Sequence, residues 1–460
     1  MMFKYRGIRI RTFHKKIDGI YYFLMLLPFL GGIGFYVYKE VVPLILQMSK
    51  RNVWEYQRFI LPSIVIVVGI TISMLLIGFI RHYSRSKGSF FTWVEHRQLL
   101  ARMIFNNRMY VSKTIKQAKG SREKIVYFPK VYYRRKGGYL ILRFPTDLQK
   151  FQEKFTNMRE DLEKAFYCDC ISMKYEKRFV VYTLIYDVER TRKDVTELVP
   201  KKDSLELMQD VNWSFNKVPH ALISGDTGSG KTFLIEALMY FFIKIGADIK
   251  ICDPKMSDLV FLEVVPSLNG KVYGTSGQIC KCVREFHEGM KARQKEFMTL
   301  SYGKTGNTYL DFDMTPQVLV FDEYVALLSS LDRATEQELL GHLRQIILLG
   351  RQLGYFVILG MQRPDAQYLP GDLRDQFGLR VSMGKLSPVG YRMMFGEADK
   401  AFKDYGKEIK GWGYASTGIG DIQTFYSPFI PKGFNFVDEI AKLYGEKPAP
   451  SADSVRKAEP

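Results

Sequence analysis

Gly225-Asp226-Thr227-Gly228-Ser229-Gly230-Lys231-Thr232 decides how this chain is read, because it satisfies G-x-x-x-x-G-K-[ST] at every position. The run before it, His220-Ala221-Leu222-Ile223-Ser224, has the make-up of a short buried strand, and 233–245 is apolar at helical spacing. Strand, loop and helix in that order are the setting in which such a loop holds phosphate. Three glycines let backbone N–H groups close around an anion, the following helix offers its positive end, and Lys231 reaches the outer phosphates. Thr232 is then the expected holder of Mg²⁺, and Gly225 through Thr232 are expected to line a nucleotide site.

Downstream the chain alternates between strand and helix. Ile249-Lys250-Ile251-Cys252 reads as a strand ending in Asp253-Pro254-Lys255, and 278–300 reads as a helix. Gln317-Val318-Leu319-Val320-Phe321 is a strand that ends in Asp322-Glu323, the shape of a Walker B element. Two carboxylates at the end of a buried strand are costly unless a cation and a water use them. Asp322 is therefore expected to orient Mg²⁺ and Glu323 to act as general base on the attacking water. A further strand, 355–360, runs into Met361-Gln362-Arg363-Pro364, which places Gln362 where it would sense the γ-phosphate.

Upstream the composition changes. The chain has 460 residues and a net charge of +19, yet residues 1–146 hold 26 Lys/Arg against 5 Asp/Glu, while 147–460 hold 41 against 43. The positive field therefore belongs to one end, and a chain spread uniformly over nucleic acid is excluded. Two uncharged runs, 19–38 and 59–80, are each long enough to span a bilayer. Basic residues crowd their outer ends, so both termini are expected in the cytoplasm of a two-pass cell-membrane protein. Trp54 and Tyr56 suit a membrane interface. The five cysteines show two C-x-C pairs and no zinc spacing, which fits a reducing compartment.

These features divide the chain into a basic cytoplasmic N-terminus (1–18), two transmembrane helices (19–80), a basic juxtamembrane segment (81–123), a small α+β domain (124–187), a motor (188–445) and a flexible tail (446–460). In the small domain, 124–133 and 139–144 are expected to form a hairpin across Arg134-Arg135-Lys136-Gly137-Gly138, followed by a helix at 147–166 and a strand at 178–186. For the basic stretch 81–143, anionic lipid and a nucleic-acid backbone are both open partners.

The loop, Asp253-Pro254-Lys255, Val320-Phe321-Asp322-Glu323, Gly350-Arg351 and Gln362-Arg363-Pro364 together resemble the FtsK/HerA group of ring-forming DNA translocases, over roughly 205–430. Two spans, a small domain and a bare motor look most like the coupling proteins of Gram-positive conjugative elements. The resemblance implies an α/β fold: a RecA-like P-loop ATPase motor with a small α+β domain and an N-terminal two-helix transmembrane hairpin. It implies ATP and Mg²⁺ as cofactors, hydrolysis run by Lys231, Asp322 and Glu323, and Gln362 as sensor. It also implies an arginine finger acting on a neighbouring subunit, Arg380 or Arg351, and hence a homohexamer. The partners implied are DNA, a relaxase and conjugation channel proteins. The segment 403–412, with Lys403, Lys407 and Lys410, is expected to line a DNA pore. No space is expected after the motor for the DNA-reading module of chromosome-segregation translocases. A segregation translocase, a protein-secretion ATPase and a membrane scaffold with a degenerate site are the alternatives.

Overall fold

In this computed structural model the described residues are 6–51, 57, 60–83, 90–117, 120–146, 150–187, 190–199, 201–209, 211–398, 400, 402–403 and 410–447. The chain divides into two compact units, Met1–Asp187 and Val188–Pro460.

In the first unit, helix α1 (Ile17–Tyr36) passes through a widened turn at Val37–Val41 into a further helix at Val42–Arg51, and α2 covers Ile60–Tyr83. Both spans are long and apolar enough to cross a membrane, and side chains such as Phe35 and Leu61 lie exposed. The first helix runs past residue 38, through part of the stretch expected to be a loop. Its widened turn lies just before Pro43, which has no N–H to give to the helical ladder. Trp54 and Tyr56 fall outside the described residues.

Helix α3 (Phe90–Asn106) lies inside the stretch expected to be a basic juxtamembrane segment, and it buries Val94, Leu100, Ala101 and Ile104 in the core of this unit. Its apolar face recurs at helical spacing among the cations, so charge alone concealed it. The core lies against a five-stranded antiparallel sheet in the order β1-β4-β5-β7-β6. Here β1 is Ile8–Arg9, β4 Tyr132–Lys136, β5 Tyr139–Pro145, β6 Asp169–Glu176 and β7 Phe179–Ile185. Strands β2 (Val111–Gln117) and β3 (Gly120–Tyr127) form a separate two-stranded ribbon. The expected strand 124–133 is thus split between two sheets. Pro129, which cannot donate to a ladder, lies at the break. The turn between β4 and β5 is tightened to Gly137-Gly138, both at positive φ. Where a helix at 147–166 was expected, two short ones stand, Gln152–Thr156 and Arg159–Phe166; residues 147–149 fall outside the described residues.

The second unit opens with a hairpin, β8 (Leu205–Met208) and β9 (Val211–Trp213). Its eight-stranded sheet has the order β12-β11-β13-β14-β10-β15-β16-β17. The strands are β10 (Ala221–Gly225), β11 (Asp248–Cys252), β12 (Val272–Tyr273), β13 (Gln317–Phe321), β14 (Tyr355–Met361), β15 (Leu379–Met383), β16 (Trp412–Ser416) and β17 (Gln423–Tyr426). The first six are parallel, and β16 and β17 extend the sheet antiparallel. Every residue of β10 and β14 is buried, which is why both read as unbroken apolar runs. Helix α4 (Lys231–Lys244) packs on β10, β11 and β14, α6 (Arg333–Leu353) packs on β14, and α5 (Ser276–Leu300) packs on α6. The carboxyl ends of β10, β13 and β14 lie side by side, the place where open α/β sheets bind ligands.

Candidate nucleotide site

The phosphate loop leaves β10 at Gly225 and enters α4 at Lys231. Gly228 and Gly230 stand at φ +81° and +98°, which a side chain would strain. A Cβ on Gly225 would meet Ser229 Oγ at 2.6 Å and the Met383 carbonyl at 2.7 Å. The loop therefore closes only with glycine there.

Lys231 is buried and lies between the two Walker B carboxylates, paired with Asp322 and 2.8 Å from Glu323 Oε1. Thr232 Oγ1 donates to Asp322 Oδ2 at 3.0 Å. Loop and strand end, ninety residues apart in sequence, thus converge on one point. Lys255, at the end of β11, closes the other side of Glu323 at 3.2 Å. Burial acts to raise the Glu323 carboxyl, but hydrogen bonds and charge from Lys231 and then Lys255 outweigh it and hold the group below its ordinary value. Glu323 itself stands at φ +57°, ψ +50°, a conformation that a non-glycine residue adopts at a cost of about 1–3 kcal/mol. Gly360 in β14 makes room for this cluster: a Cβ there would come within 2.7 Å of Ile235 Cδ1 and 3.0 Å of Asp322 Oδ1.

A cavity of about 650 Å³ extends from Asp226, Thr227, Gly228 and Thr232 past Asp322 and Glu323 to a wall of Arg192, Lys410, Gly411 and Phe429. That wall was not legible in the sequence. Arg192 donates through Nε to the Ser427 carbonyl at 2.6 Å, and its guanidinium lies 5.6 Å from the Phe429 ring centre. The backbone beside it is laced to the same segment, Val195 N–H to Phe429 O at 2.9 Å and Phe429 N–H to Lys193 O at 2.7 Å. Residues 187–210 read only as a polar joint, because a pairing across more than 230 positions leaves no local period. Lys410, expected at a DNA pore, lines this cavity, and Lys407 lies outside the described residues.

Gln362 follows β14; its carbonyl accepts from Ser224 Oγ at 2.9 Å, and it lines a second cavity of about 410 Å³ with Lys255, Glu323 and Arg363. Glu323 is shared by both cavities. Neither expected arginine lines them. Arg380 is held locally by the Phe377 carbonyl at 3.0 Å and Asp375 at 3.1 Å, and Arg351 lies in the last turn of α6.

The donor set fits a nucleotide with its metal. Ser229 Oγ is buried with no hydrogen-bond partner among the described residues, inside a loop shaped for an anion. Thr232 and Asp322 offer hard oxygen atoms of the kind Mg²⁺ takes alongside phosphate. Two unassigned groups support the site. His220 is fully buried at the start of β10, accepts from Val357 N–H at 3.0 Å and bonds the Ile347 carbonyl at 2.9 Å; burial pushes it down to about 4. Glu236, one turn along α4 from Thr232, is pushed up to about 8 by burial and then by Asp258 and Asp322.

No protein-family model matches the chain. It is 37% identical over 446 residues to the FtsK domain-containing protein YdcQ of Bacillus subtilis (strain 168), spanning 95% of this chain and 91% of that protein. The DNA translocase FtsK of Mesorhizobium japonicum is 25% identical over 270 residues, which is 50% of this chain but 29% of the translocase. Among solved structures, the pCW3 conjugation coupling protein TcpA, a monomer with ATPγS, aligns at TM-score 0.47 and 19% identity over 69% of this chain and 93% of its own.

Proposed function

The chain belongs to the FtsK domain-containing proteins, and from that premise we propose that it is a membrane-anchored ATPase that drives DNA through a conjugation channel. One observation carries the hydrolytic reading: Lys231, Thr232, Asp322, Glu323 and Lys255 converge beyond the carboxyl ends of β10, β13 and β11, which lie within four neighbouring strands of the sheet. Lys231 and the loop N–H groups would hold the phosphates of ATP, and Thr232 with Asp322 would hold Mg²⁺. The bound ion supplies neutralisation of phosphate charge. Glu323, kept deprotonated by two lysines, takes a proton from water at its carboxylate, and Gln362 beside it senses the phosphate end of the site.

DNA as the moved polymer is supported by likeness to the FtsK translocases, of which this chain spans only 29% in the example above. The coupling role, in which relaxase-bound DNA is delivered to the channel, is supported by the order of parts: two apolar helices, a small α+β unit and one motor. In this reading both termini are cytoplasmic, the motor works as a homohexamer, and Arg380 or Arg351 reaches the neighbouring subunit's ATP. The test is conjugative transfer from a donor whose own copy carries Lys231→Ala, with growth and chromosome partition scored in the same cells. Loss of transfer with normal partition and normal protein level is expected. Normal transfer with disturbed partition or protein export would replace the coupling role by segregation or secretion.

A further inference from the structure

The ribbon β2–β3 carries two lysines, Lys113 and Lys124, directly opposite each other in its register. Like charges in that position oppose pairing, and no ion pair to either lysine is found among the described residues. By strand alternation Ile115 shares their face, and Val126 is the extra residue of a β-bulge next to Lys124; both are exposed, at 43% and 58%, and both line one groove. The ribbon meets the core of its unit through Tyr127 at its base, and packing does not account for the cations and branched aliphatic side chains exposed further along it, since neither strand joins the five-stranded sheet.

Beside that face lies a groove of about 880 Å³, whose walls include Arg9, Thr12, Ile115, Lys124, Val126 and Lys130. Three cations line it against one acid, Glu123. Its depth relative to a bilayer follows from the chain: Thr12 begins a 3-10 turn that ends at Lys16, and the apolar helix α1 starts at Ile17. At about 2 Å per residue in such a turn, Thr12 on the groove wall stands within about 10 Å of the first residue of the span, which keeps the groove near the headgroup layer.

We propose that this groove binds an anionic phospholipid, the phosphodiester held by Arg9, Lys124 and Lys130 and an acyl chain lying along Ile115 and Val126. Duplex DNA would use the cations but has no use for exposed isoleucine and valine in the same groove, whereas a lipid uses both. An anion held at Lys124 also offsets its repulsion of Lys113 across the ribbon.

Native mass spectrometry of the full chain in micelles, titrated with phosphatidylglycerol or phosphatidylcholine, tests this. Wild type is expected to hold phosphatidylglycerol in preference, and K113Q/K124Q to hold it roughly thirtyfold more weakly, phosphatidylcholine being unaffected. Lys130→Gln, outside the strands, is expected to weaken it about fivefold, which covers the case of a misfolded ribbon. K113R/K124R is expected to retain it. Equal retention of the two lipids, or unchanged affinity in K113Q/K124Q and Lys130→Gln, overturns the proposal. So does loss of affinity for a duplex oligonucleotide in K113Q/K124Q with phosphatidylglycerol binding intact, which would make the ribbon a DNA arm. Lys231→Ala is expected to bind lipid as wild type does, which separates this groove from the nucleotide reading.

Discussion

In the proposed mechanism hydrolysis turns on Glu323, and its neighbours predict how it responds to change. Glu323→Gln keeps the fold of the loop but removes the proton acceptor, so phosphate release is expected to fall by about 10²–10⁴-fold while binding of a non-hydrolysable ATP analogue persists. Lys255 was visible in the sequence only as part of a family-like run; the structure puts its ammonium on Glu323. Lys255→Ala removes one of the two charges that hold the carboxyl down, so the acid limb of the pH–rate profile is expected to move to higher pH; an unmoved limb would exclude Lys255 from tuning the base. His220 acts through the fold. His220→Ala leaves the Val357 N–H buried without its partner and removes a bond to the Ile347 carbonyl, and is expected to cost roughly 1–3 kcal/mol in a urea titration. Because burial lowers it from 6.5 to about 4, its contribution is complete above 6.5 and is lost as pH falls toward 4. Glu236 runs the other way: raised from 4.5 to about 8, its contribution is complete below 4.5 and is lost as pH rises through 8. Glu236→Gln is therefore expected to flatten the alkaline side of the nucleotide-free stability profile.

Among the elements, the parallel strands were the most legible. β10, β13 and β14 are covered on both faces and so appear as unbroken apolar runs ending in chemistry-bearing residues. Strands β16 and β17 were not legible, although the residues flanking them, Lys410 and Gly411 before β16 and Ser427 and Phe429 after β17, build one wall of the nucleotide cavity. Their runs are short, and glycine and polar residues interrupt them. Gly413 explains part of this, because a Cβ there would lie 1.7 Å from the Ser382 carbonyl across the β15–β16 pair. Gly413→Ala is expected to abolish that pairing. Hydrogen exchange over Gln423–Tyr426 should then lose its protection, and affinity for an ATP analogue should fall with the displaced wall. Retained protection would show that the pair adapts. In the first unit β6 was hidden under Cys168 and Cys170, which drew attention as a C-x-C pair while both are buried beside the sheet.

For the whole molecule, the division at Asp187 and Val188 separates the basic part with its two long apolar helices from a motor that holds every residue of the nucleotide cavity. A fragment beginning at residue 188 is expected to fold and bind an ATP analogue. A fragment beginning at residue 90 is expected to lose protection across Tyr132–Lys136, because β1 pairs with that strand and Ile10 belongs to its core. The sequence by itself determined the nucleotide chemistry, the alternation of the motor and the two apolar spans. Each is written in consecutive residues: a loop of eight positions, a strand of five, an uncharged run of twenty or more. Only the tertiary structure decided which distant groups meet: Lys255 on Glu323, Arg192 against Phe429, Ile8–Arg9 beside Tyr132 and Tyr133. Those contacts arise from strand order and chain crossover, and packing between segments far apart leaves no periodic trace in either one.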